Sequence, residues 1–419
     1  MGSDRSVDCA VIGLGYIGLP TAAVLARSGT RVCGVDVSPH VVETVGSGGI
    51  HIEEKDLDAL VRQVVADGLL TTSLTVPQAD VFVIAVPTPF KDDHAPDIAY
   101  VLSATRSIAP ALKAGDTVIL ESTSPVGTTE AIRDVLAEAR PDLRLPHEGQ
   151  EGATVAVAYC PERVLPGKII EELVSNDRSI GGITPACAEK ARAFYKRFVA
   201  GECTITTART AEMVKLVENA SRDVNIAFAN ELSVICDTLA LDVWEVIRLA
   251  NRHPRVNILQ PGPGVGGHCI AVDPWFIVHS DPDNARLIRT ARHVNDDKVA
   301  YTVGRADALI EACDGPVACL GLAFKANIDD LRESPAMAVA SALARRWGDR
   351  IRIVEPYIDA LPAAFDGTGA RLVPLHEALR DSAVAVVLVD HDAFRAVPAA
   401  ARAHLAVHDS RGIWNGAPR

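Results

Sequence analysis

One cysteine and one carboxylate close a glycine-rich stretch in the second half of the chain. Residues 262–269 read GPGVGGHC, and Asp273 follows Cys269 by four positions. Glycines let the backbone come close to a ligand, and a helix that begins near Cys269 would favour its thiolate through the helix dipole. Asp273 would then lie one turn further on, on the same face. A thiolate on a loop open to substrate suits covalent attack on a carbonyl, whereas a cysteine buried in a packed loop is the plainer alternative.

The N-terminal stretch has the order strand, glycine turn, helix, strand, acid. The turn residues that could hold a dinucleotide are Gly13, Gly15, Tyr16, Ile17 and Gly18. In this pattern the first glycine makes the tight turn, the second admits the pyrophosphate and the third packs helix on strand. Asp36 ends the second strand, where it can accept bonds from the ribose hydroxyls, and Arg31 lies on the wrong side for a 2′-phosphate. The stretch therefore predicts NAD binding; a merely structural glycine turn is the alternative.

Further polar residues follow buried strand patterns in the next hundred residues. Thr88, Thr123 and Glu162 each come directly after such a run. In doubly wound sheets, the loops at the carboxyl ends of strands contact the ligand. A threonine in such a place is also an ordinary helix cap, and a glutamate is often simply solvated.

A long helical pattern begins near residue 206 and continues to about residue 249. Its apolar positions lie on several sides, which is typical of a helix in a core or an oligomer interface. Lys215 and Asn219 are four residues apart and therefore share a face of this helix. A buried lysine is rare unless it is paired or functional, and a lysine that extends its charge into solvent is the alternative.

The chain after residue 315 repeats the order strand, loop, helix, strand, acid, with Glu355 as the acid. It lacks the three glycines, which indicates a Rossmann-like domain adapted to another nucleotide. Lys325 and Arg332 in its first loop are cations that could contact phosphates. Arg411 stands at the end of a late strand.

Length, charge and cysteine usage exclude several classes of protein. A chain of 419 residues predicts two or three domains. A net charge of −13 argues against a nucleic-acid partner. Nine cysteines without a Cys-x-x-Cys pair indicate a reducing cytosol and no metal site. No apolar run approaches a membrane span, and we see no signal peptide. We therefore expect a cytoplasmic protein.

These patterns together predict an α/β protein with two Rossmann-like, doubly wound domains joined by a central helical segment. The predicted division is an NAD domain at 1–205, a helical segment with the cysteine loop at 206–305 and a second nucleotide-binding domain at 306–419. NAD beside a nucleophilic cysteine indicates oxidation of an aldehyde to an acid through a thioester. A second nucleotide domain indicates a substrate that itself carries a nucleotide.

The chain resembles the UDP-glucose/GDP-mannose dehydrogenase family, the UDP-sugar 6-dehydrogenases, along almost its whole length. The motifs that carry the resemblance are VIGLGYIGLP, STSPVGT, PERV, EMVKLVEN, GGHC, GLAFK and RESP. Within the family, the cysteine loop and NIDDLRESP look most like enzymes that act on UDP-N-acetyl-D-mannosamine. Enzymes for UDP-N-acetylglucosamine and UDP-glucose are the alternatives.

The resemblance implies a four-electron oxidation of the sugar C6 hydroxyl to a carboxylate with two NAD⁺. Cys269 would be the nucleophile, Lys215 and Asn219 would stabilise oxyanion charge at about 3 kcal/mol per donor, and Asp273 would handle protons or water with Thr123. Glu162 matches the acid of the Pro-Glu motif. The resemblance places Thr88, Thr123 and Arg332 at NAD. Its contacts to the UDP-sugar are Glu162, Arg163, Val164, Lys215, Asn219, Arg255, Gly266, Lys325 and Arg411. It also implies a homodimer or a larger homo-oligomer.

One departure from the family and two rival classes remain. UDP-glucose enzymes carry a second glutamate where this chain has Pro166, which favours an acetamido sugar and leaves the water-activating residue open; His268 is a candidate base. A two-electron dehydrogenase of the hydroxyacyl or 6-phosphogluconate type would not need Cys269. A non-catalytic NAD-binding protein would have lost turnover altogether.

Overall fold

The computed structural model describes residues 7–52, 54–165, 167–267 and 269–414, without the side chain of Asp92. The departure at Pro166 and the candidate base His268 lie outside the described residues. The described part forms two compact units that divide between Val217 and Glu218. The predicted boundary at 205/206 falls inside the last strand of the first unit. The three-segment division remains a proposal.

The first unit is built on an eight-stranded sheet. Its strands are β1 (Val7–Ile12), β2 (Val32–Val35), β3 (Leu70–Ser73), β4 (Ala79–Ile84), β5 (Thr117–Leu120), β6 (Ala156–Tyr159), β7 (Arg178–Gly182) and β8 (Cys203–Thr207). Their order is β3-β2-β1-β4-β5-β6-β7-β8. Neighbouring strands are parallel except β6 and β7, which are antiparallel. The first six strands therefore have the doubly wound order 3-2-1-4-5-6 of a dinucleotide-binding fold.

Helices cover both faces of this sheet. They are α1 (Gly18–Arg27), α2 (Pro39–Gly46), α3 (Leu57–Ala66), α4 (Ala99–Ile108), α5 (Thr128–Ala139), α6 (Ile169–Ser175) and α7 (Pro185–Tyr195), with 3₁₀ turns at Asp92–His94 and Ala109–Ala111. Successive residues of the central strands enter two separate cores. Val83 and Ile119 belong to one core, and Ile84 and Leu120 belong to the other. This alternation follows from the two-residue period of a strand.

The second unit has a five-stranded parallel sheet. Its strands are β9 (Val317–Leu320), β10 (Ile351–Val354), β11 (Arg371–Leu372), β12 (Val384–Val387) and β13 (Ala406–Asp409), in the order β11-β10-β9-β12-β13. Its helices are α9 (Val243–Ala250), α10 (Asp273–Ser280), α11 (Arg286–Glu311), α12 (Pro335–Trp347), α13 (Leu375–Asp381), α14 (Asp392–Arg395) and α15 (Ala399–Arg402), with 3₁₀ turns at Gly348–Arg350 and Ala363–Phe365. This second Rossmann-like sheet confirms the predicted fold class.

The long helix predicted after residue 206 is α8 (Ala208–Thr238), which has 31 residues and crosses the division between the units. The pattern up to residue 249 includes a second helix, α9, because Asp242 starts a new helix with its side chain on the N–H groups of Trp244 and Glu245. Within the residues that the structure describes, we find no helix that is both long enough and apolar enough to cross a bilayer.

Candidate active site

The three glycines of the first turn differ in their backbone conformation and in the space around them. Gly13 has a φ of +94°, and a Cβ there would lie 2.6 Å from the carbonyl oxygen of Ala85. A Cβ on Gly15 would meet nothing within 4 Å, so this position is open. A Cβ on Gly18 would lie 1.8 Å from the Gly13 carbonyl oxygen. The first glycine therefore permits the turn, the second leaves room beside the backbone and the third allows close packing.

Asp36 stands at the end of β2, where it is half-buried. Its Oδ2 accepts the N–H of Leu14 at 2.9 Å and its Oδ1 accepts the N–H of Ser38 at 2.9 Å. Arg31 instead forms an ion pair with Asp8, with Nη2 and Oδ1 2.5 Å apart. That pair lowers the pKa of Asp8. Arg31 is therefore engaged elsewhere, as its position on the strand predicted.

The start of α1 has no side-chain cap at its N-cap residue Ile17, and Tyr16 beside it is 42% exposed. The Leu19 N–H donates to the Gly15 carbonyl oxygen at 3.1 Å, and Pro20 has no N–H. An open glycine position, an uncapped helix start and a strand-end carboxylate fit the pyrophosphate and ribose of a dinucleotide. These residues would hold NAD. Among the described residues, no group of three His, Cys, Asp or Glu side chains could hold a metal ion.

Two predicted threonines meet at the carboxyl ends of β4 and β5. The Thr88 hydroxyl donates to the carbonyl oxygen of Thr123 at 2.6 Å. The helix after Thr123 is α5, and its N-cap is Gly127 rather than a threonine. Thr88 therefore holds the backbone of the loop that carries Thr123, and neither residue is the cap of a helix in the described chain.

Lys215 and Glu162 form a buried pair within the first unit. The Lys215 Nζ lies 3.0 Å from the Glu162 carbonyl oxygen and 3.4 Å from its Oε1. Lys215 is 6% exposed and Glu162 is 8% exposed. The other carboxylate oxygen of Glu162 accepts the N–H of Val164 at 2.8 Å. This geometry excludes both the solvent-extended lysine and the solvated glutamate.

Arg163 points into the same unit, where its Nη2 donates to the Ser179 hydroxyl at 2.9 Å. Asn176 donates to the Arg163 carbonyl oxygen at 2.6 Å. The Pro-Glu-Arg-Val segment is therefore held through its backbone and through the Glu162 carboxylate.

In the second unit, Cys269 is exposed and lies in a turn before α10. The expectation of a helix that begins near Cys269 is wrong, because α10 begins at Asp273. The Cys269 carbonyl oxygen nevertheless accepts the N–H of Asp273 at 2.9 Å, so one helix-like turn connects the two residues. The exposure of Cys269 argues against the packed-loop alternative.

Asp273 is 3% exposed and accepts a bond from Asn219 Nδ2 at 2.6 Å. Asn219 is half-buried on α8, the helix that also contains Lys215. The Nδ2 group carries two N–H bonds, and the bond to Asp273 uses one of them. A carboxylate that orients this amide leaves a second donor direction for a developing oxyanion.

The predicted nucleotide-sugar cations occupy different environments. Lys325 and Arg255 are exposed. Arg332 is paired with Asp330, with Nη2 and Oδ2 2.6 Å apart. Arg411 is paired with Asp390 at 2.9 Å.

The cysteine loop packs tightly within the second unit. A Cβ on Gly262 would lie 2.6 Å from Nη1 of Arg411. A Cβ on Gly266 would lie 2.4 Å from the Glu333 carbonyl oxygen. Glycine at these positions therefore allows a close approach that a side chain would prevent.

The sequence analysis missed a buried carboxylate at the end of β5. Glu121 is fully buried, and burial raises its pKa to about 7 although Arg178 and the Thr21 hydroxyl oppose the shift. Arg178 lies 3.7 Å from Glu121 and donates to the carbonyl oxygens of Pro161 at 3.4 Å and Leu173 at 3.2 Å. The available signal was an acid inside an apolar strand run, two residues before Thr123.

A second buried group holds the loop after β9; the sequence analysis named its acid, Glu355, but not its partner His391. Glu355 Oε2 accepts the N–H groups of Leu322 at 2.7 Å and Ala323 at 3.1 Å. His391 Nε2 lies 3.2 Å from this carboxylate, and His391 Nδ1 accepts the N–H of Asn327 at 2.9 Å. Because Nδ1 accepts, Nε2 carries the proton and donates to Glu355. Burial opposes ionisation, but the His391 bond and the backbone donors lower the pKa of Glu355 below its ordinary value.

Comparison with known proteins shows which family the chain belongs to. Three family models match: the NAD binding domain of the UDP-glucose/GDP-mannose dehydrogenase family at residues 7–199, its central domain at 209–297 and its UDP binding domain at 318–416. The chain belongs to the UDP-glucose/GDP-mannose dehydrogenase family, and it is an NAD-dependent UDP-sugar dehydrogenase.

Individual relatives are similar over nearly their whole length. The chain is 56% identical over 413 residues to the UDP-N-acetyl-D-mannosamine dehydrogenase of Salmonella typhi, covering 96% of this chain and 98% of the relative. It is 54% identical over 418 residues to the NDP-N-acetyl-D-galactosaminuronic acid dehydrogenase of Ralstonia nicotianae, covering 98% of each. A solved UDP-N-acetyl-mannosamine dehydrogenase from Staphylococcus aureus matches with a TM-score of 0.84 and 41% identity, covering 98% of this chain and 96% of that chain.

Proposed function

We propose that this protein oxidises the C6 hydroxyl of UDP-N-acetyl-D-mannosamine to the carboxylate of UDP-N-acetyl-D-mannosaminuronate. The observation that carries the choice of sugar is the 56% identity to the Salmonella typhi enzyme named for it. The balanced reaction consumes the sugar alcohol, two NAD⁺ and one water, and it yields the carboxylate, two NADH and three protons. Each of the two NAD⁺ molecules, when bound, takes up one hydride.

Cys269 is the proposed nucleophile, because it is exposed in a turn at the end of the glycine loop. The C6 alcohol first loses the proton of its hydroxyl and a hydride from the C6 carbon, which gives an aldehyde. The Cys269 sulfur then adds to the carbonyl carbon as a thiohemiacetal, which loses the second hydride to become a thioester. Water cleaves the thioester to release the acid and the thiol.

Lys215 and Asn219 have the same proposed role, and each is held in place by a carboxylate. Lys215, held by Glu162, and Asn219, held by Asp273, stabilise negative charge on the substrate oxygen. Asp273 also moves the proton or orients the water, together with Thr123. Lys325, Arg411 and Arg255 contact the UDP-sugar, and Arg332 contacts the cofactor.

The proposed assembly is a homodimer or a larger homo-oligomer. Several large apolar side chains on α8, on α9 and in the turn between these helices are exposed: Phe228, Ile235, Leu239, Leu241 and Leu249. Exposed apolar residues on neighbouring elements are typical of an interaction surface. Burial against a second copy would remove this apolar surface from water. We place the protein in the cytoplasm, where its reduced cysteines and its NAD-dependent chemistry are both supported.

A panel of sugars tests the substrate. We expect kcat/KM for UDP-N-acetylmannosamine to exceed that for UDP-N-acetylglucosamine and UDP-glucose by at least tenfold, because an unfilled or clashing acetamido position costs about 1–3 kcal/mol. UDP-N-acetylgalactosamine belongs in the panel because of the Ralstonia nicotianae relative. A higher kcat/KM for any of the other three sugars would overturn the substrate and leave the dehydrogenase chemistry intact.

A further inference from the structure

A chain of buried side chains leads from the second unit's helices to the first residue of the cysteine loop. The Gly262 N–H donates to Asn230 Oδ1 at 2.9 Å, and Asn230 Nδ2 donates to Asn295 Oδ1 at 2.9 Å. Asn295 Nδ2 donates to Asp223 Oδ1 at 2.8 Å. Asn230 and Asp223 are fully buried, and Asn295 is 1% exposed. No solvent therefore substitutes for a lost bond in this chain.

Gly262 at one end of this chain of bonds and Asp223 at the other determine how the amide groups of Asn230 and Asn295 are oriented. Gly262 offers only a backbone N–H, so the oxygen of Asn230 must face the loop and its amino group must face Asn295. Asp223 offers only acceptors, so the amino group of Asn295 must face Asp223. Arg292 holds the carboxylate through a bond of 2.6 Å from Nη1 to Oδ1. Each amide thus has one orientation that satisfies all partners.

The loop between Gly262 and Cys269 leaves little room for a displaced start. A Cβ on Gly264 would lie 2.9 Å from Pro335, and a Cβ on Gly266 would lie 2.4 Å from the Glu333 carbonyl oxygen. A shift at Gly262 therefore cannot be absorbed by the next residues without a clash.

We propose that Asn230 and Asn295, anchored on Asp223, are positioning residues that set the start of the cysteine loop and thereby the place of Cys269. The proposal rests on the proposed function, because it assigns the loop to catalysis. It adds a second support for the nucleophile, independent of the Asn219–Asp273 bond. The charged groups near the relay are Asp223, Arg292 and Asp296 at its far end and the Arg411–Asp390 pair beside Gly262.

Asn230→Asp tests the relay, because its effect depends on pH. When the introduced carboxyl is protonated, it accepts from Gly262 and donates to Asn295, as the amide does. When it is ionised, it presents an oxygen to the Asn295 oxygen and breaks the chain. We expect the ratio of variant to wild-type kcat to fall at least tenfold between pH 6 and pH 9. KM for NAD should stay within twofold, because the change lies in the second unit.

Asn225→Asp is the matched control, because Asn225 is exposed on the same helix and donates to the Ser221 carbonyl at 2.7 Å, away from the relay. It should follow wild type at every pH. Asn230→Leu removes the polar group at every pH, and we expect a loss in kcat that does not vary with pH. If Asn230→Leu does not fold, the fall in the Asn230→Asp to wild-type kcat ratio between pH 6 and pH 9 still provides the test.

The alkylation rate of Cys269 by iodoacetamide, normalised to wild type at each pH, gives a readout that needs no turnover. We expect the normalised rate in Asn230→Asp to depart from one as pH rises and to stay near one in Asn225→Asp. An Asn230→Asp variant that parallels wild type in both kcat and alkylation would overturn the relay. Full turnover by Cys269→Ala would instead overturn the proposed function. The alkylation rates of Cys269 in wild type, Asn230→Asp and Asn225→Asp would still test whether Asn230 sets the position of the loop.

Discussion

The turns after the first strands of the two Rossmann-like sheets share their first glycine but differ in the residues that follow it. Gly13 follows β1 with a φ of +94°, and Gly321 follows β9 with a φ of +98°. The Gly13 N–H donates to the Val35 carbonyl oxygen at 2.8 Å, and the Gly321 N–H donates to the Val354 carbonyl oxygen at 2.8 Å. The second unit therefore keeps the first glycine of the turn and replaces the others, with Ala323 in place of the open Gly15.

The strand-end acids show the same divergence. Asp36 is half-buried and bonds one N–H of the glycine turn, that of Leu14. Glu355 is 4% exposed, reaches two N–H groups of its turn and is covered by His391. The first acid keeps its carboxylate partly exposed, where we propose that it meets the cofactor ribose. The second uses its carboxylate to hold the loop that carries Lys325.

The same topology can therefore place its strand-end acid in the fold, as Glu355, or leave it partly exposed for a ligand, as we propose for Asp36. The Glu355 carboxylate accepts four bonds, from the N–H groups of Leu322, Ala323 and Tyr357 and from His391. These four bonds match the about four acceptor sites of a carboxylate. The nucleotide of the second unit would then be held by cations such as Lys325 and Arg411 instead.

The largest expected effect is on stability, from Glu355→Ala. The change leaves two backbone N–H groups and His391 without their acceptor, and we expect it to lower the free energy of unfolding by about 3–5 kcal/mol. Urea unfolding of the whole chain, followed by the fluorescence of the second unit's tryptophans, measures this loss. A loss below about 1 kcal/mol would contradict the structural role of Glu355.

Asp36→Ala should act on the cofactor rather than on the fold. Loss of a charged acceptor for the ribose costs about 1.5–3 kcal/mol of binding, which corresponds to a rise in NAD KM of roughly 10- to 150-fold. The free energy of unfolding should fall by only about 1 kcal/mol. Equal NAD KM in variant and wild type would show that this acid does not contact the cofactor.

Acidification should reveal the second acid selectively. Because the folded pKa of Glu355 is lowered, its contribution to stability is present above the ordinary value of 4.5 and is lost as pH falls through the folded pKa. The stability difference between wild type and Glu355→Gln should therefore shrink below pH 4.5, by at most about 1.4 kcal/mol per pH unit. A difference that grows on acidification would reverse the sign of this pKa shift.

Arg31→Ala should have the smallest effect. The arginine is 43% exposed in its pair with Asp8, so we expect a stability change within about 1 kcal/mol. The preference for NAD over NADP should be unchanged, because we assign that preference to Asp36 and not to Arg31. A variant that accepts NADP more readily would show that Arg31 takes part in the choice of cofactor.

The elements predicted correctly from sequence are those with local signals. The glycine turn and the run of apolar positions in α8 each depend on residues within a few positions of one another. The start of α12 at Ser334-Pro335 has the same local character. Ser334 does cap α12, with its hydroxyl 3.3 Å from the N–H of Met337. Such local rules are sufficient to place strands, helices and their ends.

The partners that hold the site are distant in sequence and could not be predicted in this way. Glu355 meets His391 across 36 positions, and Asn230 meets Asn295 across 65. Which buried polar group meets which depends on the packing of whole helices and strands, and no local pattern encodes it. The wrong start for the helix after Cys269 has a local cause, since a turn with a helix-like bond precedes α10.

The most direct test of the account is the yield of NADH per UDP-N-acetylmannosamine at completion, for wild type and Cys269→Ala. We expect two NADH from wild type and no more than one from the variant, because the aldehyde then has no sulfur to bind. Cys313→Ala, which changes a half-buried cysteine, should still give two. One NADH from wild type, unaffected by the loss of Cys269, would contradict the thioester route and leave an ordinary two-electron dehydrogenase.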